Sequence, residues 1–161
     1  MKKTIIGLVI VVCALIVSIV FYVWYSSMLN ARNISGHTIA DSIYKTRDVS
    51  IRGYTIHALV ADTQPLQDLG LGGRNGLEEG HGMLFIFDQD GVYPFWMKDM
   101  RFPIDIIWLS RDKRIIYMAQ NITPSTYPES FGPHESARYV LEVPANDAVS
   151  HGFKIGDAVS F

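Results

Sequence analysis

The sequence predicts a mainly β domain, a compact antiparallel sandwich or barrel with one or two short helices, preceded by a single transmembrane helix. Three observations lead there. Residues 5–25 form an almost unbroken apolar run. After residue 48 come six or seven short segments of strand character, and between them there is no strand–helix–strand rhythm.

The apolar run is interrupted only by Gly7 and Ser18 and closes on Phe21, Tyr22, Trp24 and Tyr25. At 1.5 Å per helical residue it spans a hydrocarbon core of roughly 30 Å. A cleavable leader has a shorter apolar region and a small-residue cleavage site, so an uncleaved signal anchor fits better. The closing aromatic rings suit the membrane–water interface. Lys2 and Lys3 place the N-terminus in the cytoplasm and the rest of the chain on the extracytoplasmic side, although Arg32 stands on the far flank. The one cysteine, Cys13, follows Ile10, Val11 and Val12, which is no lipidation signal. The expected organisation is therefore a cytoplasmic stub and anchor at 1–25, a polar juxtamembrane linker at 26–48, and a β-rich extracytoplasmic domain at 49–161.

In that domain Tyr54, Ile56, Ala58 and Val60 alternate with Thr55, His57, Leu59 and Ala61, which reads as a strand. Thr63-Gln64-Pro65 reads as a helix start with Thr as N-cap, and Gly70, Gly72 and Gly73 end that helix early. Residues 83–87 are apolar on both faces and predict a central strand. The cluster 88–91, with its Asp-Gly pair, predicts a hairpin turn. Further strands are expected over 93–98, 104–109, 114–119, 137–143 and 158–161. Residues 123–133, with three prolines, predict a long irregular loop.

Charge narrows the function classes. Without Lys2 and Lys3 the chain has 12 basic residues against 16 acidic ones, a net charge of −4. That supplies no basic stripe, so nucleic acid is not the expected partner. With Cys13 in the apolar run, the domain has neither disulfide nor thiolate chemistry.

Several motifs occur in a recognisable order: Gly70-Leu71-Gly72-Gly73-Arg74, Gly82-Met83-Leu84-Phe85-Ile86-Phe87, Phe95-Trp96-Met97-Lys98, Pro103-Ile104-Asp105, Tyr139-Val140-Leu141-Glu142 and Gly156-Asp157. In these the chain resembles the bacterial and archaeal family called domain of unknown function 192, over nearly all of residues 49–161. The family's Gly-Leu-Met variant is Gly70-Leu71-Gly72 here. The resemblance implies a compact antiparallel β fold of the jelly-roll type and no particular reaction.

Asp105 is the most informative polar residue, because it interrupts an apolar strand, and Glu142 does the same in its own strand. A carboxylate in such a place lines a pocket or has a buried partner, since an unpaired buried charge is costly. Two arrangements are open. In one, Asp105 and Glu142 line a concave ligand site with Arg74, Lys98 and Trp96, the Trp stacking on a sugar or other planar face. In the other, Arg74 clamps Asp105 and pins the glycine loop to the sheet. His81 is a candidate pocket base. The remaining histidines, His37, His57, His134 and His151, show no metal-ligand spacing, and no cofactor is expected. The glycine stretch 70–76 lacks a P-loop ending, and no nucleophile elbow is present. The leading expectation is an envelope module binding a small molecule or glycan. The alternatives are a hydrolase or transferase using Asp105 and Glu142, and a structural or assembly partner.

Overall fold

The computed structural model describes residues 17–26 and 43–161. The chain divides into two units, 1–42 and 43–161. In the first, residues 17–26 are helical with exposed side chains, and Phe21 lies 5.9 Å from Trp24 and 6.5 Å from Tyr25 between ring centroids. Among the described residues no helix is long and apolar enough to cross a membrane. Most of the expected span, residues 5–16, and most of the expected linker, residues 27–42, lie outside the described residues.

The second unit is mainly β. Its elements are β1 (Lys45–Ile51), β2 (Tyr54–Ala61), α1 (Gln64–Leu69), β3 (His81–Gly91), β4 (Phe95–Trp96), β5 (Ile104–Leu109), β6 (Ile115–Ile122), β7 (Ser130–Phe131), β8 (Ala137–Pro144), α2 (Asp147–Ser150) and β9 (Val159–Ser160). Seven strands form one sheet in the order β6-β5-β8-β3-β2-β1-β9, and β4 and β7 form a separate ribbon. The long sheet curls until its edges meet at one corner. There the Ile115 amide donates to the Asp157 carbonyl at 3.0 Å and the Val159 amide to the Lys113 carbonyl at 2.8 Å. The domain is thus one curled sheet, a half-barrel, rather than two sheets packed face to face.

The pairing departs from the expected wholly antiparallel pattern at one place. β2 and β3 run parallel, His57 opposite His81 through Ala61 opposite Phe85. Parallel neighbours need a crossover, and α1 with the glycine loop provides it. The helix is only six residues long, which hid this strand–helix–strand unit in the sequence. Gly70 ends it at φ 52°, a backbone state that glycine reaches without strain.

Two local expectations also change. β3 does not turn at 88–91 but continues to Gly91, with a register shift against β8 after Ile86. Of the expected strand 93–98 only Phe95 and Trp96 pair, and they pair with β7 inside the long proline loop. β1 starts at Lys45 with charged, exposed residues, a composition that guards a sheet edge rather than a polar tether.

The central strands β3, β5 and β8 bury both of their faces along most of their length. On the concave side Val49, Ile51, Ile56, Leu84, Ile107, Leu141, Val143 and Val159 form one apolar cluster. On the other side Met83, Phe85, Ile106, Trp108 and Val140 form a second, covered by Leu71 and Met97 from the loops. Every residue of β5 is buried, which explains its continuous apolar sequence. Gly82 leaves no room for a side chain between its neighbours. A Cβ there would stand 2.7 Å from the Glu142 carbonyl oxygen and 3.0 Å from Ile56 Cγ2. Gly82→Ala is expected to cost about 1–3 kcal/mol by overpacking, read as a lower urea midpoint with an unchanged slope.

Candidate functional site

Asp105 is completely buried and faces the concave cluster, opposite Val143. Its carboxylate is held by backbone amides. Oδ1 accepts from Asn121 N at 2.7 Å and from Asn146 N at 3.1 Å, and Oδ2 accepts from Ala148 N at 3.0 Å. Asn121 and Asn146 both sit at positive φ, 51° and 71°. Asp105 therefore ties the end of β6 to the start of α2. The expected Arg74 clamp is replaced by this backbone staple, and the Arg74 guanidinium lies over the Tyr44 ring, 5.7 Å from its centroid.

Glu142 stands opposite Ile106 on one neighbour and Met83 on the other. The same register puts Asp105 opposite Val143, so the two carboxylates point to opposite faces of the sheet. The expected shared pocket of Asp105 and Glu142 is not formed. Glu142 is 5% exposed, and its Oε2 is buried without a hydrogen-bond partner. Burial alone pushes its carboxyl up to about 8, so it is mostly protonated at neutral pH.

The remaining expected site residues are spread over the Glu142 side of the sheet and its loops. His81 opens β3 two residues before Met83, and its Nδ1 lies 3.2 Å from the Glu79 carbonyl. Its ring is 5.7 Å from that of His57, which holds Asp48 at 2.7 Å. Lys98 is exposed, and its loop is tied to that of Arg74 by the Gly73 amide donating to the Asp99 carbonyl at 2.9 Å. Trp96 projects from β4 and is 56% exposed.

A groove of about 330 Å³ lies at the far end of β2, between α1 and the extended part of β3. It is lined by Asp62, Thr63, Gln64 and Gln67 from one side and by Phe87, Asp88, Gln89 and Tyr93 from the other. Its shape follows from a few bonds. Gln67 Nε2 donates to the Ile86 carbonyl at 2.9 Å, holding α1 on β3. Arg138 donates to Asp90 at 2.6 Å and to the Asp88 carbonyl at 2.6 Å, bracing the extension of β3. Phe87 and Tyr93 stack with ring centroids 3.6 Å apart, and the Tyr93 hydroxyl donates to the Gln89 carbonyl at 2.7 Å. Lys45 bonds Asp62 at 2.8 Å and holds its carboxyl below the usual range. Carboxylates, amides and a hydroxyl thus converge beside an aromatic pair. The sequence reading missed this groove because it took 88–91 for a turn. The spacing of Phe87 and Tyr93 around that segment was the available signal.

The profile of DUF192, described as an uncharacterized ACR, matches residues 47–161. The chain belongs to this family. No curated protein matches it. Among solved structures it is similar to a protein of unknown function from Novosphingobium aromaticivorans DSM 12444. That match is 28% identical with a TM-score of 0.69, over 72% of this chain and 85% of that one. It is also similar to a protein from Sinorhizobium meliloti 1021, provisionally described as a transcription regulator. Here the identity is 26% and the TM-score 0.68, over 73% of this chain and 94% of that one. The family and both structures thus support the β-rich fold and carry no assigned chemistry.

Proposed function

We propose that this DUF192 protein is a membrane-tethered small-ligand module of the cell envelope, and that its ligand is a glycan or similar polyhydroxylated molecule. The observation that carries the reading is the groove between α1 and β3. Its about 330 Å³ is at the small end of ligand pockets. Asp88, Gln64 and Gln89 offer acceptors and donors for hydroxyl groups, and the Phe87–Tyr93 pair offers an apolar ring face. The apolar run 5–25, with Lys2 and Lys3 before it, supports anchoring with the domain outside the cytoplasm.

A hydrolase using Asp105 and Glu142 as a pair has no support in the geometry, because the two carboxylates face away from each other. A transcriptional role of the kind ascribed to the Sinorhizobium protein would call for a basic face, and the chain beyond Lys3 carries a net charge of −4.

Titration of the full-length chain with a panel of neutral oligosaccharides tests the reading. At least one is expected to bind saturably, with Asp88→Asn and Gln64→Ala each weakening it about tenfold at unchanged melting temperature. Binding that ignores both substitutions, or no binding across the panel, overturns the groove as the site. Protease added to intact cells is expected to remove residues 43–161, and their survival would overturn the tethered placement.

A further inference from the structure

The groove between α1 and β3 has a one-sided charge. Its lining holds two carboxylates, Asp62 and Asp88, and no lysine, arginine or histidine. Two cations stand close by, and each is committed to another partner. Lys45 is bonded to Asp62 at 2.8 Å and offsets that charge. Arg138 is bonded to the Asp90 carboxylate at 2.6 Å, and its other bonds go to the carbonyls of Phe87 and Asp88. The Asp88 residue is exposed, and its carboxylate has no hydrogen bond or ion pair among the described residues. Asp88 is thus the one lining charge that the protein leaves uncompensated.

The neutral side chains lean the same way, because the protein uses up most of their donors. Gln64 Nε2 donates to the Asp68 carboxylate at 2.7 Å. A carboxylate only accepts, so this bond fixes the amide and leaves Gln64 Oε1 as an acceptor. Gln67 Nε2 donates to the carbonyls of Ile86 at 2.9 Å and Ala61 at 3.4 Å, which occupies both of its hydrogens. The Tyr93 hydroxyl spends its proton on the Gln89 carbonyl at 2.7 Å. What these groups still offer a ligand is oxygen lone pairs. Beside them the Phe87 and Tyr93 rings stack with centroids 3.6 Å apart, and the outer face of such a pair attracts a cation. A groove with one bare carboxylate, several acceptors and an aromatic face suits a ligand rich in donors and positively charged.

We propose that the groove prefers an amino sugar, a glycan carrying a protonated amino group, over the same glycan with a hydroxyl in that place. Asp88 is the counter-charge, and the Gln64 and Gln67 carbonyl oxygens are the acceptors for further N–H groups. An ammonium brings three donors and asks for none in return, whereas a hydroxyl brings one donor and also seeks one. The inference rests on the groove being a glycan site, as proposed above, and names the class of glycan it selects. Lys45 sets the strength of the preference, because its bond to Asp62 keeps a second carboxylate from adding to the attraction.

The test is calorimetric titration of the full-length chain with a β-linked glucosamine oligomer and with the glucose oligomer of the same length and linkage. The two differ only by an ammonium or a hydroxyl on each ring. At about pH 6 aspartate is ionised and the amine protonated. The glucosamine oligomer is expected to bind about five- to tenfold more tightly, and added salt should narrow the gap. Asp88→Asn is expected to erase the difference. Lys45→Gln, which leaves Asp62 unpaired at the rim, is expected to widen it about threefold. Both substitutions are on exposed residues, and unchanged melting temperatures confirm that the variants are folded. Equal affinities, a difference that survives Asp88→Asn, or one that fails to widen in Lys45→Gln overturns the inference, while binding of the glucose oligomer keeps the groove as a glycan site. If neither oligomer binds but another neutral oligosaccharide does, the inference alone falls. If none binds, the groove reading falls with it.

Discussion

Glu142→Gln is expected to stabilise the protein, and the gain is expected to grow as pH rises. Glu142 sits between Met83 and Ile106 on an apolar face, and burial raises its carboxyl from the ordinary 4.5 to about 8. Between those two values the folded chain keeps a proton that the unfolded chain has released. Stability must then fall as pH climbs from about 4.5 to about 8 and level off above that. At about 1.4 kcal/mol per unit, the loss amounts to a few kcal/mol, a large fraction of a small domain's total. Glutamine has the same shape and does not titrate. Near pH 4.5 the two proteins should differ by about 1 kcal/mol or less, since each buries one neutral polar group. At pH 8.5 the variant should be the more stable by a few kcal/mol. Burial also raises Asp147, which adds a decline of the same sign to both proteins and so cancels in the comparison. Urea unfolding at pH 4.5, 6.5 and 8.5 measures this. Parallel curves for the two proteins would mean that Glu142 has a partner when ionised.

Part of this arrangement is legible in the sequence. Asp105 and Glu142 stood out in the sequence for one reason: each interrupts an apolar strand. That signal identifies a residue under constraint, and both residues are indeed buried. It cannot say which face of the sheet each occupies, because that depends on the register between β5 and β8, a pairing of distant segments. Strand periodicity was similarly legible where a strand is half buried. β2 alternates cleanly and its expected limits are the observed ones. Where local signals compete with long-range pairing, the reading failed. Asp88 to Gly91 has the composition of a turn, yet Arg138 from β8 holds the segment in an extended β3. The parallel pairing of β2 and β3 was hidden because the helix between them is too short to show a period. The stacking of His151 on Tyr54 is likewise unreadable, since the two residues lie nearly the whole domain apart in sequence and meet only when the sheet curls.

Asp105 should be the costliest polar residue to replace, because so much backbone depends on it. Its carboxylate satisfies three amide donors, two of them on residues at positive φ. Those amides lie at the end of β6 and in the first turn of α2, where strand and helix ladders stop. Asp105→Ala leaves them buried and unpaired at about 1–3 kcal/mol each, so a total loss of about 3–5 kcal/mol is expected once the loops relax. Asp105→Asn keeps one acceptor oxygen and turns an NH2 toward an amide N–H, so its cost should be smaller, about 2–3 kcal/mol. The loss should also be localised. In Asp105→Asn, which should remain folded, amide exchange is expected to quicken at Asn121, Asn146 and Ala148 well before it does in β3 and β8. An Asp105→Ala protein that unfolds within about 1 kcal/mol of the natural chain would show that the staple does not hold the fold.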